Sequence, residues 1–239
     1  MRLDKFLVEK SIFDTLSSAS AAIMAGLIYV DDKKVTKSGY PVSSDVKIGY
    51  KNSTELYVSR GGIKLKEALE KFKISISGKI AIDIGSSTGG FVDCLLGYGA
   101  NKVWAVDVGY GQLHWKLRNN PQVVVLEKTN ARYLSCDKFL EKFDISTIDV
   151  SFISLEKILP VVKTILKKNG EVLALIKPQF EVDKGKAEGG VVKDEKLQKA
   201  VVNKIVDFAK TLGFEIIGTM PCSLLGPKGN REYFVYMIM

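Results

Sequence analysis

Histidine is nearly missing from this chain. His114 is the only one among 239 residues, which leaves a Ser-His-Asp triad or a His-rich metal site little to work with. Cysteine is sparse as well: Cys94, Cys136 and Cys222 form an odd, scattered set with no CxxC pair. That argues against a disulfide framework or a zinc site and favours a reducing, cytoplasmic home. No run approaches the roughly 18 apolar residues needed to span a bilayer. The opening MRLDKFLVEKSIFD interleaves charged and apolar residues and lacks the apolar core of a signal peptide. An acidic or Pro/Gly-rich tail of the kind that stays disordered is absent too.

What is present is an ample core and a surplus of positive charge. At 46% hydrophobic and 26% charged, the chain suits one large domain or a small one joined to a medium one. Lys and Arg number 35 against 27 Asp and Glu, a formal charge of +8. Such a charge favours a polyanion or a membrane surface, and serves solubility equally well.

The hydropathy pattern changes near residue 58. Before it, Leu3, Phe6, Leu7 and Ile12 suit one apolar helix face, and Ala19, Ala22, Ile23 and Ala25 a second. GLIYVDDKKV follows as a strand, an Asp-Asp-Lys turn and a return strand, with a further short strand around Asp45 to Ile48. KNSTE, residues 51–55, is a polar linker. Residues 1–58 thus form a small α+β unit and residues 59–239 a second domain. There a helix over 64–72 precedes IAIDIG, VWAVDVG, VVVLE, ISTIDVSF and EVLALIK. A long helix over 194–212 comes next, then EIIGTM and YFVYMIM. Near-continuous apolar strands alternating with helices predict a Rossmann-like α/β sheet covered on both faces. One long irregular piece, GKAEGGVVK at 185–193, interrupts the alternation.

IAIDIGSSTGGF places a strand, a Gly-rich turn and a helix in series. Gly85 and Gly89 permit close backbone approach, and the turn exposes N–H groups at a helix start. The spacing is not GxGxxG. Asp107 ends the second strand, where a carboxylate can take two hydrogen bonds from a ribose diol. Asp83 ends the first, able to orient the turn or meet a cofactor ammonium. S-adenosylmethionine and a nicotinamide dinucleotide both fit these features.

Charged residues gather at other strand ends. Asp149 interrupts STIDVSF, Lys177 closes EVLALIK, Glu232 opens EYFVYMIM, and Lys64 lies on the helix before the first strand of the large sheet. Charges there are costly unless paired or used, so the four form either a structural ion-pair network or a catalytic one. Methyl transfer to a hydroxyl needs the oxygen deprotonated and placed in line with the sulfonium methyl. Lys177 is the candidate to take or orient the hydroxyl proton. Asp149 would hold Lys177 or the hydroxyl, Glu232 and Lys64 would complete the charge network and place the ribose, and no metal is required. Pro178 restricts Lys177 to an extended backbone, and Gln179, Phe180 and Glu181 are expected to line the start of a loop covering the substrate.

The ordered set SRGGIKL, IDIGSSTGGF, AVDVGYGQL, DVSFISL, LIKPQFE, EGGVVKD and GPKGNREYF resembles the TlyA family of ribosomal RNA ribose methyltransferases, also labelled haemolysins. The resemblance covers nearly the whole chain. It implies an S4-like RNA-binding domain ahead of an FtsJ-like class I methyltransferase domain that uses S-adenosylmethionine. The implied reaction is methylation of cytidine 2′-hydroxyls in ribosomal RNA, within ribosomal subunits or assembled particles. The wider group's K-D-K-E tetrad falls on Lys64, Asp149, Lys177 and Glu232. Its cofactor turn falls on Gly85, Ser87, Thr88 and Gly89, with Asp83 just before and the ribose acid at Asp107. EGGVVKD becomes an ordered loop near the active site. The chain departs from the pattern in its second helix, where Leu16 stands in place of an arginine and Ser18, Ser20 and Ala21 replace polar or basic residues.

Residues 1–58 hold eight Lys and Arg against seven Asp and Glu, whereas residues 59–80 hold six against two. Phosphate contacts need positive charge. The first domain is therefore expected to orient RNA by shape, with Arg2, Lys5, Lys33, Lys34 and Lys37 as limited contacts. Arg60, Lys66, Lys71 and Lys73 are expected to contribute more, though each suits solvated surface as well. Rival readings are a cytosine C5 methyltransferase using Cys222 as nucleophile, a nicotinamide oxidoreductase, a ribosome assembly factor without catalysis, and a membrane-lytic protein. The last would need a strongly amphipathic basic surface helix, for which KLKEALEKFKI is short.

Overall fold

A computed structural model describes residues 1–239 apart from 11, 14, 25, 51–56 and 184, and apart from the side chain of Tyr50. Ala25 and the linker 51–55 therefore lie outside the described residues. The chain divides into two compact units, Met1–Leu56 and Tyr57–Met239.

In the first unit, helix α1 (Leu3–Glu9) buries Leu3, Phe6 and Leu7, and α2 (Leu16–Met24) buries Ala19, Ala22 and Ile23. Both faces follow the helical repeat. Strands β1 (Ile28–Val30) and β2 (Lys33–Val35) form a hairpin. Its two turn residues, Asp31 and Asp32, both have positive φ, 48° and 63°, the backbone twist that matches a two-residue hairpin. Strand β3 (Ile48–Tyr50) adds to the other edge of β1, giving the order β2-β1-β3. Three expectations shift: Lys33, expected in the hairpin turn, opens β2. Ile12 lies beyond the end of α1, 37% exposed, and the third strand begins at Ile48, where the expected one ended.

The second unit is a seven-stranded sheet with helices on both faces. Its elements are α3 (Arg60–Phe72), β4 (Ile80–Ile84), α4 (Gly90–Gly97), β5 (Lys102–Val106), α5 (Trp115–Arg118), β6 (Val123–Leu126) and β7 (Phe143–Ile148). After these come α6 (Leu159–Ile165), β8 (Leu166–Ile176), α7 (Pro178–Glu181), α8 (Glu195–Thr211), β9 (Glu215–Pro221) and β10 (Tyr233–Ile238). The order is β6-β5-β4-β7-β8-β10-β9, with β6 to β8 parallel and β10 antiparallel to both neighbours. α3 starts four residues before the expected helix, and residues 127–142 form a second irregular stretch, broken only by two short 3₁₀ turns.

Alternation along the strands sorts the core into two layers. Leu173, Leu175, Phe234 and Tyr236 join Leu65, Leu69 and Phe91 of α3 and α4 on one face. Val172, Ala174, Ile176, Val235 and Met237 join Leu159, Val162, Val201 and Ile205 of α6 and α8 on the other. Fully buried side chains such as Phe234 each contribute about 2–3 kcal/mol of burial free energy. The period of two also places the charges. Lys177 continues the odd-numbered face of β8, and Glu232 the even-numbered face of β10. Both therefore fall on the α3 side of the sheet.

Candidate active site

β4 separates a sheet half built by β5 and β6 from one built by β7 and β8, so the ends of β4 and β7 form a topological switch point, where open α/β sheets bind ligands. Because β10 runs antiparallel to β8, the start of one meets the end of the other, with Tyr233 opposite Ile176. The next pair outward is Lys177 and Glu232. Asp149 directly follows β7, and Lys64 arrives from α3.

The four charges are joined as two ion pairs. Lys64 Nζ donates to Glu232 Oε2 at 2.6 Å, and Lys177 Nζ lies 2.5 Å from Asp149 Oδ1. The second contact is ionic by distance without hydrogen-bond alignment; the aligned bond of Lys177 Nζ runs to Ser151 Oγ at 2.9 Å. Glu232 is wholly buried with Oε1 unpartnered, and Lys177 is 8% exposed. Burying charges this deeply costs several kcal/mol per ion unless every group is satisfied. Asp149 stands just past its strand instead of interrupting it.

Three cavities adjoin here. One of about 430 Å³ is walled by Val106, Val108, Ala131 and Ile153, with Gly85 and Asp107 on its rim. A second, of about 330 Å³, is bounded by Arg60, Lys64, Asp83, Ser87, Thr88 and Asp149. The third, of about 280 Å³, is lined by Ser151, Phe152, Lys177, Gln179, Phe180 and Glu232. Asp149 borders the first and second, Ser151 the first and third, so the Lys177–Asp149 pair stands where they meet.

The glycine turn is shaped by contact. Gly85 has φ +85°, and a Cβ there would lie 2.5 Å from the Asp149 carbonyl oxygen. Gly89, φ +97°, precedes α4. Asp107 accepts from the Ser87 N–H at 2.8 Å and from the Gly109 N–H at 2.7 Å, so it organises the turn while each oxygen keeps a further lone pair. Thr88 accepts from the His114 N–H through its carbonyl. His114 itself caps α5, its Nδ1 accepting from the Lys116 N–H, and burial holds its imidazole below the usual value.

Asp83 is fully buried, pairs across the sheet with Thr147 and accepts from its hydroxyl at 2.6 Å; its other oxygen has no partner. Burial pushes this carboxyl up to about 8, against the Thr147 bond. Because the folded value is raised, the stability this group contributes is complete below its ordinary 3.8 and is lost as pH rises through about 8. Asp83→Asn is expected to flatten the fall in melting temperature across that window, read by calorimetry at successive pH values. An unchanged slope would refute it.

Basic candidates fall into two groups. Lys5, Lys33, Lys34 and Lys37 are exposed on the first unit, and Arg2 holds the buried Asp4 at 2.6 Å. On the second unit Lys71 and Lys73 are exposed, Lys66 pairs with Glu70 at 3.7 Å, and Arg60 borders the second cavity. Cys222 is buried, with its thiol pushed up to about 12 by desolvation, which disfavours the thiolate a C5 methyltransferase needs. Glu181 does not line the cavity: it is buried and accepts from the Leu155 N–H at 2.8 Å, tying α7 to the loop after Asp149. Among the described residues, no group of three or more His, Cys, Asp or Glu is placed to hold a metal, and no helix is long and apolar enough to cross a membrane.

Contacts add residues that sequence reasoning missed. Phe152 is 89% exposed at φ +63°, its ring centroid 4.8 Å from that of Phe180 with the rings tilted by 46°; a bulky residue held in that backbone region is strained. Its signal was an apolar residue amid the polar DVSF turn. Ser151, Gly226 and Asn230 also touch the tetrad or its walls. Nothing in a single turn sequence announced them.

The residues present fit S-adenosylmethionine: an apolar nucleoside-sized cavity, an acid, Asp107, just past β5, a glycine with no room for a side chain, and an unpartnered buried carboxyl. A family pattern described as FtsJ-like methyltransferase matches residues 57–238, and one described as S4 domain matches residues 1–48. The 16S/23S rRNA (cytidine-2′-O)-methyltransferase TlyA of Mycobacterium tuberculosis is 41% identical, over 99% of this chain and 89% of its own. A Streptococcus thermophilus structure labelled a hemolysin matches with TM-score 0.77 at 37% identity, over 100% of this chain and 88% of that one. An S-adenosylmethionine dependent methyltransferase from Mesorhizobium loti shares the fold at 13% identity, with TM-score 0.55 over 76% of this chain and 100% of that one.

Proposed function

The chain belongs to the TlyA family, an S4 domain followed by an FtsJ-like methyltransferase domain, and from that premise we propose that it transfers a methyl group from S-adenosylmethionine to the 2′-hydroxyl of a cytidine in ribosomal RNA. The observation that carries this reading is the pairing of Lys64 with Glu232 and of Lys177 with Asp149 where the three cavities meet. A nicotinamide oxidoreductase has no use for that tetrad, and the C5 reading lacks a reactive thiol.

When bound, S-adenosylmethionine supplies an electrophilic methyl group on a sulfonium. Asp107 would hold its ribose, the Gly85–Gly89 turn would let the main chain approach it closely, and Asp83 would face its ammonium. Lys177 would orient the incoming hydroxyl through Nζ or take the proton it gives up. Asp149 and Ser151 aim that nitrogen. Lys64 and Glu232, locked together, fix the ribose from the α3 side.

Phe152 supports the same reading. An exposed ring on the cavity that Lys177 also lines offers the target or a neighbouring base a stacking face, worth ~1–3 kcal/mol per base. Phe152→Ala is expected to raise KM for RNA by about tenfold or more while cofactor affinity holds; an unchanged KM would remove Phe152 from the binding surface.

Residues 1–58 act in this reading as a shape-reading RNA module using Arg2, Lys5, Lys33, Lys34 and Lys37, and residues 59–239 as the transferase, with Arg60, Lys66, Lys71 and Lys73 adding phosphate contacts. Ribosomal particles in the cytoplasm are the workplace. The deciding experiment supplies the purified protein with radiolabelled S-adenosylmethionine and bacterial ribosomal subunits that lack the modification. Label is expected on a cytidine ribose, located by mass spectrometry of nucleosides and fragments. Label on a base, or none on either subunit or on assembled particles, overturns the proposal.

A further inference from the structure

Beyond the tetrad, two buried amides converge on one stretch of backbone. Residues 188–192, EGGVV, contain Gly189 and Gly190 at positive φ, and such a stretch loses much conformational freedom when ordered. It is nonetheless tied on every side. Asn230, 3% exposed, accepts from the Val192 N–H at 3.2 Å, and its Nδ2 donates to the Gly190 carbonyl at 2.9 Å and to the Pro227 carbonyl at 3.1 Å. Gln198 of α8, 4% exposed, donates to the Val192 carbonyl at 2.7 Å and accepts from the Tyr233 hydroxyl at 2.7 Å. Both polar groups of the Val192 peptide unit pair are thereby held by buried side chains from other elements. Lys228 Nζ adds a bond to the Gly189 carbonyl at 3.0 Å.

This network sits against the third cavity, where Gly190, Pro227 and Asn230 form one wall and Lys177 and Glu232 stand within the lining. Asn230 also closes the turn that shapes the Glu232 site, since the Gly226 N–H donates to the Asn230 carbonyl at 2.8 Å. A wall alone could be built from apolar side chains. A fully satisfied buried polar network instead specifies one arrangement.

We propose that Asn230 and Gln198 are positioning residues that latch the 188–192 loop as the wall of the target-nucleotide pocket, Asn230 coupling that wall to the turn that places Glu232. The proposal rests on the proposed methyl transfer, in which the third cavity, lined by Lys177 and Glu232, takes the acceptor nucleoside. It assigns the two residues different signatures. The Gln198 side chain hydrogen-bonds to the loop and to Tyr233, whereas that of Asn230 hydrogen-bonds to the loop and to the turn.

The test measures kcat, KM for ribosomal subunits and S-adenosylmethionine affinity in Gln198→Ala and Asn230→Ala. Gln198→Ala, which loses two side-chain hydrogen bonds, is expected to raise KM about tenfold with kcat kept; Asn230→Ala, which loses three, is expected to raise KM and also lower kcat by about tenfold. Cofactor affinity is expected to hold in both. Hydrogen exchange at the Val192 amide reads the latch without any turnover: protection is expected to fall in both variants, and in Tyr233→Phe, which deletes only the hydroxyl and serves if an alanine variant does not fold. Lost protection at Val192 with KM and kcat unchanged overturns the positioning role. Retained protection overturns the latch itself. Failure of the wild-type protein to label RNA overturns the functional reading and leaves the exchange result to judge the latch.

Discussion

Lys177→Ala is expected to lower methyl transfer by ~10²–10⁴-fold, the usual span for removing a positioned proton-handling group, with S-adenosylmethionine binding kept. Two features of the site make the loss large and selective. Lys177 is nearly buried, and its nitrogen is aimed by Asp149 at 2.5 Å and Ser151 at 2.9 Å, so no mobile surface lysine can replace it. It lines the third cavity and not the two that carry the glycine turn and Asp107. Single-turnover labelling of ribosomal subunits would read the chemistry, and titration calorimetry would read cofactor binding. Activity within a few-fold of wild type would rule out the proton-handling role. Loss of cofactor affinity in parallel would assign Lys177 to the cofactor. Lys177→Arg adds a second discrimination: it keeps the charge but cannot be deprotonated, so it separates orienting the hydroxyl from accepting its proton.

How much of this site was legible in the sequence follows from the physics of each element. The sheet declared itself because buried strands must be apolar over their whole length, as in Leu173–Ile176. Lys177 was conspicuous because a buried apolar run ended on a charge fixed by Pro178. Which lysine meets which carboxylate was not legible. The Lys64–Glu232 pair spans 168 residues and depends on β10 returning antiparallel beside β8, a pairing that no local pattern encodes. The same reasoning covers Glu181, expected to line the start of a loop covering the substrate. Its carboxyl turns inward because the Leu155 N–H, 26 residues away, offers it a partner, and an unpaired buried carboxyl would cost more than the turn. Phe152, Gly226 and Asn230 were missed for a related reason: each matters through a contact outside its own turn, with Phe180, Glu232 and the 190–192 backbone respectively, and turn residues carry no periodicity to expose them.

Gly226→Ala tests directly how the turn before β10 places Glu232. Its φ of −72° is ordinary for any residue, so backbone strain is not at issue. The obstacle is steric: a Cβ at Gly226 would lie 2.1 Å from Glu232 Oε1 and 3.1 Å from Oε2. Glu232 is wholly buried and held on Lys64, so its carboxylate has nowhere open to move without giving up that pair. Overpacking of this kind costs about 1–3 kcal/mol, and displacing one member of a buried ion pair adds to it. The variant is therefore expected to lose stability and to lose methyl transfer by ~10²-fold or more, since interactions at the reacting centre are sensitive to displacements near 1 Å. A double-mutant cycle with Glu232→Ala isolates the cause. If the collision is with the carboxylate, Gly226→Ala is expected to destabilise the wild-type protein but to be nearly neutral once Glu232 is shortened. Equal stability losses in both backgrounds, read from denaturant midpoints of the four proteins, would show instead that Gly226 serves its own turn and not the tetrad.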